Sequence, residues 1–182
     1  GLAYAKKYSH RVIVEKFITG HDFRVLIIDN KLVAAAKREP AHVKGDGKHT
    51  IQQLIEETNK DPRRGYGHEN VLTMIKINDL SKAIIKDAGF AVDSILPEGE
   101  RLLLKDTANL STGGTAEDIT DIIHPANVSM AESISKIIDL DICGIDIMTT
   151  DISKPISETG GAVLEVNAGP GFRMHLVPTT GL

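Results

Sequence analysis

Two apolar runs near the end of the chain carry polar side chains among branched residues. Residues 142–149 (ICGIDIMT) contain Asp146, and residues 162–167 (AVLEVN) contain Glu165 and Asn167. Side chains two residues apart on a strand point to the same face, so Glu165 and Asn167 share a face. Both runs have strand length, and an unpaired carboxylate among apolar neighbours is costly. The pattern predicts two strands whose oxygen atoms converge. The alternative is a pair of surface strands whose polar side chains face solvent.

Two carboxylates and an amide oxygen form a set of hard ligands that suits a magnesium ion. Mg²⁺ keeps several waters and is usually completed by substrate phosphates rather than by protein groups alone. We therefore expect Asp146, Glu165 and Asn167 to bind Mg²⁺ together with a nucleotide.

The composition limits the classes of partner. The chain has 182 residues and a net charge of −4, so it offers no general basic field for nucleic acid. No apolar stretch approaches the length that spans a bilayer, so no membrane partner is expected. The single Cys143 cannot form an internal disulfide, and the first residues show no signal-peptide pattern. These features indicate a protein of the reducing cytoplasm.

The opening third alternates apolar and polar residues in three runs separated by turn residues. Residues 11–18 (RVIVEKFI) and 22–29 (DFRVLIID) flank Thr19-Gly20, and a turn at 29–31 leads into 32–38 (LVAAAKR). Alternation of this kind with tight turns predicts an antiparallel meander of three strands. The fold class is therefore expected to be α+β, a mainly antiparallel sheet with packed helices in one domain.

Capping residues and helix-breaking residues predict where the helices and loops lie. Thr50 is expected to cap one helix, and Gly89 and Pro125 to end and begin two others. The remaining expected elements are a long irregular loop at 60–70, a helix at 79–88, a strand at 101–105, a glycine-containing loop at 109–116 and a helix from 125 to about 139.

Three basic residues lie at predicted strand ends, where they could face one crevice. Lys37 and Arg38 end one strand, and Lys105 ends another, so they are candidates to neutralise a transferring phosphoryl group. The loop after Lys105 offers hydroxyls and backbone N–H groups that glycine leaves open to an anion. Its candidate residues are Asn109, Ser111, Thr112, Gly113 and Gly114. Solvated cations and a plain turn are the alternatives.

The motifs GIDIM (144–148) and LEVNAGPGF (164–172) resemble the paired magnesium-binding strands of ATP-grasp ligases. The resemblance implies an ATP-grasp fold, with Asp146, Glu165 and Asn167 bridging Mg²⁺ to the phosphates of ATP. Many such ligases have an Arg two residues before the Asp, where this chain has Gly144, so the cation that stabilises the transition state must come from elsewhere. The opening hairpin resembles the family's adenine-binding hinge. It implies that adenine lies against Glu15, Lys16, Phe17 and Ile18 and that Asp22 holds the ribose.

Longer segments, among them AAAKREPAHVKGDGKHTI, DPRRGYGHENVLT and LKDTANLSTGGTA, resemble the central ligase domain of cyanophycin synthetases. This likeness implies that ATP phosphorylates the terminal carboxylate of a poly-aspartate chain and that the amine of a new aspartate then attacks. It also implies that residues 1–182 are a partial ATP-grasp domain. An upstream lobe and a downstream Mur-ligase-like domain would be absent, the piece alone would be inactive, and the complete enzyme would be a homo-oligomer. A glutathione-type or other amino-acid ligase and a non-catalytic ATP- and Mg²⁺-binding module are the alternatives.

The resemblance gives further candidates a role. Arg63 and Arg64 would clamp the carboxylates of aspartate, or else form surface ion pairs. His21 would accept a proton from the incoming amine, or else be simply exposed. Arg173 and His175 are expected to hold the acceptor end.

Overall fold

A computed structural model describes residues 2–67 and 70–181. Its helices are α1 (Leu2–Ala5), α2 (Ile51–Thr58), α3 (Asp79–Asp87), α4 (Pro125–Ile138), α5 (Ile156–Thr159) and α6 (Arg173–Leu176). Its strands are β1 (His21–Ile28), β2 (Lys31–Glu39), β3 (His42–Lys44), β4 (Arg64–Gly65), β5 (Leu72–Thr73), β6 (Arg101–Leu103), β7 (Thr115–Asp118), β8 (Ile142–Thr149) and β9 (Ala162–Asn167). Among the described residues no helix is both long enough and apolar enough to cross a bilayer.

The main sheet has five strands in the order β7-β2-β1-β8-β9, and every pairing in it is antiparallel. Asp29 and Asn30 close the β1–β2 turn with positive φ angles of 51° and 59°, a conformation that short polar side chains tolerate. The predicted α+β class with a mainly antiparallel sheet is therefore confirmed. The odd-numbered residues of β1 and β8 from Phe23 to Ile27 and from Cys143 to Ile147 are buried in one apolar core, against which α4 lies.

A second apolar cluster joins α2, α3 and the antiparallel pair of β3 and β6. The helix boundaries follow the capping residues expected from the sequence. Thr50 forms a capping box with Gln53, and Pro125 occupies the first turn of α4. Asn78, which the sequence analysis did not single out, caps α3 together with Ser81.

The predicted strand at 11–18 is wrong. Residues 11–19 form no strand among the described residues, and Ile13 and Phe17 are 83% and 87% exposed. The segment alternates as a strand does, but no described strand pairs with it. The expected irregular loop at 60–70 contains the short strand β4, which pairs in parallel with β5, and residues 68 and 69 of that loop lie outside the described part.

Candidate functional site

A cleft of about 700 Å³ lies over the face of the main sheet opposite the core. Strand β6 and four strands of the main sheet contribute residues to it, and the segment 106–109 forms another wall. Its ionisable lining residues are His21, Asp22, Arg24, Arg38, Glu39, Arg101, Asp106, Asp146 and Glu165, together with the amides of Asn109 and Asn167. The three predicted metal ligands are thus brought together in one cleft.

The strand register places these ligands side by side. Asp146 lies opposite Arg24 on β1 and opposite Glu165 on β9. Between Asp146 and Ile147 the β8–β9 register shifts, because Leu164 is an extra residue on β9. This bulge turns Val163 towards the core while Glu165 and Asn167 face the cleft. Of the three predicted ligands only Asp146 on β8 is fully buried, as the apolar neighbours suggested. Glu165 is exposed and Asn167 is half-buried.

A chain of alternating charges crosses the floor of the cleft. Asp22 accepts hydrogen bonds from Arg38, with 2.7 Å between Arg38 Nε and Asp22 Oδ1. Arg38 Nη2 also lies 3.1 Å from Asp146 Oδ2, and Arg24 donates to both oxygens of Asp146, with 3.1 Å between Arg24 Nη2 and Oδ2. Arg24, Arg38 and Asp146 are 9%, 8% and 8% exposed, so these charges depend on one another for stabilisation.

Arg24 is a site residue that the sequence analysis missed. A Cβ atom built on Gly144 would lie 3.0 Å from Arg24 Cδ and 2.8 Å from Pro170 Cβ. Glycine at position 144 therefore leaves the space that the Arg24 side chain crosses to reach Asp146. A guanidinium from the neighbouring strand thus contacts Asp146 beside the position of Gly144. The available signal was an arginine two residues after Asp22 inside an apolar strand.

The three predicted strand-end cations do not share one crevice. Arg38 lines the cleft, but Lys37 does not, and its Nζ lies 3.3 Å from Glu39 Oε1. Alternation along β2 explains the difference, since Lys37 lies opposite the buried Phe23 while Arg38 lies opposite Asp22. Lys105 lines a separate cavity. The expectation of a shared crevice is therefore wrong.

The two arginines of the 60–70 loop have different surroundings. Arg63 is exposed, forms an ion pair with Asp61 and donates to the carbonyl oxygen of Thr179 at 3.2 Å. Hydrogen bonds from Arg63 hold the pKa of the Asp61 carboxyl below its ordinary value. Arg64 donates through Nη1 to the carbonyl oxygens of Thr73 and Gly113 at 2.7 and 3.1 Å, and burial lowers its pKa. Neither side chain lines the cleft, so their substrate roles stay predictions.

The glycines of the 109–114 loop are required for close packing. The N–H groups of Gly113 and Gly114 donate to Leu110 and Asn109 within the loop, so the expectation that they are open to an anion is wrong. A Cβ atom on Gly113 would lie 2.7 Å from Ile75 Cγ1, and one on Gly114 would lie 2.6 Å from the Glu39 carbonyl oxygen. Asn109 lines the cleft, whereas Ser111 and Thr112 line the separate cavity with Lys105.

Comparisons with known proteins concern the fold that carries this cleft. Residues 104–179 match the family model described as a RimK-like ATP-grasp domain. The chain is 30% identical to a bifunctional glutathione synthetase from Pasteurella multocida, whose crystal structure superposes with a TM-score of 0.77 over 92% of this chain and 23% of that one.

The chain has the ATP-grasp fold.

Sequence similarity along this whole chain shows which ATP-grasp proteins it resembles in sequence. The chain is 55% identical over 181 residues to the cyanophycin synthetase of Crocosphaera subtropica, which covers all of this chain and 21% of that protein. It is 36% identical over 170 residues to the glutathione biosynthesis bifunctional protein of Clostridium perfringens, covering 93% of this chain and 22% of that one. The predicted resemblance to cyanophycin synthetases is confirmed. The chain spans about a fifth of the length of these relatives.

The donor set of the ATP-grasp cleft fits a magnesium ion. No three carboxylate, imidazole or thiol side chains in the described ranges cluster closely enough to form a metal site by themselves. Asp146 and Glu165 instead supply two carboxylates on paired strands, and Asn167 adds an amide whose buried Nδ2 has no hydrogen-bond partner in the part described. Such a set leaves room for the waters and phosphate oxygens that Mg²⁺ prefers. Arg24 and Arg38 already contact Asp146, so a metal ion would share that carboxylate with them.

The predicted nucleotide-binding residues lie at two separate sites, the cleft and a cavity beside β9. Glu15, Lys16 and Ile18 line a shallow cavity beside β9, while Phe17 is exposed. Asp22 lines the cleft, where burial raises its pKa against the lowering effect of Arg38. His21 is exposed at the cleft and contacts Phe23 edge to face, with 6.3 Å between ring centroids. Their roles towards adenine, ribose and the incoming amine stay predictions.

Helix α6 of the ATP-grasp chain carries Arg173 and His175. Both ring nitrogens of His175 are buried without a hydrogen-bond partner in the described structure. Burial, assisted by the positive charges of Arg24 and Arg38 and opposed by Asp118, lowers the pKa of His175 to about 4. His175 is therefore neutral in the folded protein at neutral pH.

This neutral imidazole predicts a pH-dependent stability. As the pH falls from about 6.5, the ordinary pKa of histidine, towards about 4, the unfolded chain takes up a proton that folded His175 does not. The free energy of unfolding should fall over that range by about 1–2 kcal/mol after allowance for solvent screening. Urea unfolding at pH 4.5 and 7 measures the difference, and His175→Gln should reduce it. An unchanged difference in His175→Gln would contradict this account.

Proposed function

We propose that the chain supplies the metal- and nucleotide-binding cleft of an ATP-dependent carboxylate–amine ligase that adds aspartate to a poly-aspartate chain. The proposal rests above all on the convergence of Asp146, Glu165 and Asn167 beside two buried arginines in one cleft. The 55% identity to a cyanophycin synthetase supports the choice of substrate class. Because the chain spans 21% of that relative, the activity is proposed for the complete polypeptide to which these residues contribute.

The proposed reaction has two steps. A carboxylate oxygen attacks the γ-phosphorus of ATP, the bond to ADP breaks, and an acyl phosphate forms. The amine of aspartate then attacks the acyl carbon, inorganic phosphate leaves, and the nitrogen loses a proton as the peptide bond forms. Bound Mg²⁺ supplies positive charge to the phosphate oxygens and aligns them.

The residues of this chain contribute position and charge. Asp146, Glu165 and Asn167 provide the oxygen ligands, which the β8–β9 register fixes beside one another. Arg24 and Arg38 are held by Asp146 and Asp22, so their positive charge is already oriented when negative charge develops in the cleft. Donors oriented in advance need little reorganisation during the reaction. His21 lies at the same cleft, where a neutral imidazole can accept the proton from the amine.

The test is the amino-acid dependence of ADP release by the complete polypeptide with ATP, magnesium and a poly-aspartate primer. Aspartate should stimulate release and become incorporated, whereas glycine, cysteine and glutamate should not. Stimulation by glycine or cysteine would favour a glutathione-type ligase. Nucleotide binding without release for any amino acid would favour a non-catalytic module, and either result would contradict the proposal.

Substitution of Arg63 tests the predicted binding of aspartate at a single residue. It is the exposed arginine of the pair, and a guanidinium binds a carboxylate through two parallel hydrogen bonds. Arg63→Ala should raise the KM for aspartate by about 10- to 100-fold, as expected for losing a hydrogen bond to a charged group, with the KM for ATP within about twofold. Arg11→Ala, at an exposed site away from the loop, is the control. An unchanged KM for aspartate would remove Arg63 from the site.

A further inference from the structure

A second cavity of about 290 Å³ lies apart from the cleft and is lined by cations and hydroxyl groups. Lys76 and Lys105 supply the charges, and Ser111 and Thr112 supply the hydroxyls. The described lining residues include no carboxylate; the others are Gly67, Thr73, Met74 and Asn78. The lining therefore has the chemistry of an anion site.

Lys105 is the central cation of this cavity. It is only 7% exposed, and its Nζ donates to Asn78 Oδ1 and Ser81 Oγ, each at 2.8 Å. Both acceptors are neutral, and within the described residues no carboxylate oxygen lies within 4 Å of Nζ, so Lys105 has no ion-pair partner there. An ammonium group has three donors, so one remains for a ligand. Burial lowers the pKa of Lys105, and the negative charge of Asp106 offsets only part of that effect.

Two neighbouring groups add to the site. Lys76 Nζ lies 5.2 Å from the centroid of the Tyr66 ring, which holds this second cation near the cavity through a cation–π contact. Thr112 Oγ1 donates to the Asn109 carbonyl oxygen at 3.0 Å, so the short turn that carries Ser111 is fixed. Ser111 is exposed and its hydroxyl can donate to an anion in the cavity.

The chain connects this cavity directly to the cleft. Residues 106–109 line the cleft, while Lys105 on one side of them and Ser111 and Thr112 on the other line the second cavity. An extended acidic substrate with its reacting carboxylate in the cleft could therefore place another of its carboxylates beside Lys105 across a single short segment. Lys105 lines the second cavity and not the cleft that contains Asp146.

We propose that the second cavity binds a non-reacting carboxylate of the acidic substrate and that Lys105 is its principal ligand. The inference rests on the proposed function for the identity of the substrate, and it adds a subsite to the cleft. The carboxylate can belong to the growing chain or to the incoming amino acid. Both carry the same chemical group, and kinetic measurements can distinguish between them.

A binding test on this chain needs no ligase activity. Succinate, a dicarboxylate without an amine, is titrated into ¹⁵N-labelled protein at constant ionic strength without metal or nucleotide. Saturable shifts are expected at the amides of Ser111 and Thr112, and Lys105→Met should abolish them while Lys86→Met, an exposed lysine on α3, retains them. No saturable shift in the wild type, or the same shifts in Lys105→Met, would overturn the proposal even if the protein proves to be a ligase.

Kinetics of the complete polypeptide then identify the source of the carboxylate. Lys105→Met should raise the KM for either the primer or aspartate by about tenfold or more, the loss expected for a hydrogen bond to a charged group, and leave the KM for ATP within about twofold. Because Lys105 also contacts the start of α3, Lys76→Met and Ser111→Ala provide variants that keep those contacts, and each should raise the same KM by a smaller factor. A selective rise in the KM for ATP, or a fall in kcat alone, would instead place Lys105 in phosphoryl transfer and overturn the inference.

Discussion

Glu165→Gln in the complete polypeptide should reduce magnesium-dependent ADP release by at least about a hundredfold, because one of two carboxylates that orient the metal and phosphates loses its charge. Glu165 is exposed and has no ion pair among the described contacts, so the variant should unfold at the same urea concentration as the wild type. Asp146→Asn should lose activity at least as completely. Its stability should also fall, because Arg24 and Arg38 would lose their shared counter-charge.

Direct measurement of metal binding tests the predicted metal ligands independently of turnover. The fraction of bound Mn²⁺, followed by electron paramagnetic resonance, should decrease in both variants. Glu158→Gln on α5 and Asp87→Asn at the end of α3 are matched exposed controls and should behave as the wild type. Turnover and Mn²⁺ binding at wild-type levels in Glu165→Gln would contradict the metal assignment.

Arg24→Met should lower the free energy of unfolding by about 3 kcal/mol, because it leaves a buried carboxylate with one guanidinium partner instead of two. The double variant Arg24→Met with Asp146→Asn should be less destabilised than the sum of the two single variants, by about 1–2 kcal/mol, since neither charge is then left behind. Urea unfolding of the four proteins in the cycle measures this coupling.

Arg101→Met is the control for this cycle. Arg101 forms a partly exposed ion pair with Glu39 at 2.7 Å, and such pairs contribute about 0–1 kcal/mol. A loss in Arg24→Met no larger than that of Arg101→Met would show that the charge chain across the cleft floor does not stabilise the fold.

The convergence of the three predicted metal ligands could be expected from the sequence. Alternation on a strand places Glu165 and Asn167 on one face, and the pairing of two strands brings Asp146 beside them. Arg24 could not be found in this way, because its contact with Asp146 depends on the order of strands in the sheet. The β1–β8 pairing joins residues 122 positions apart.

Three other features could not be predicted from the sequence pattern, for physical reasons. The run at 11–18 alternates as a strand does, but a strand requires a partner, and no described neighbour pairs with it. Lys37 and Arg38 were placed together because they are adjacent, whereas adjacent residues on a strand point to opposite faces. The glycines at 113 and 114 suggested open N–H groups, but their packing against Ile75 and Glu39 depends on contacts between distant segments.

The extra residue Leu164 also affects how the sheet ends. On the β7 side, Thr179 and Thr180 form backbone hydrogen bonds with residues of the strand, so that margin is covered. The β9 side has no further strand in the described chain, and an uninterrupted row of free N–H and C=O groups there would be a template for another chain. A bulge breaks the regular spacing of such a row and twists it locally. The irregularity beside Glu165 thus also makes this edge a poorer template for pairing with another strand.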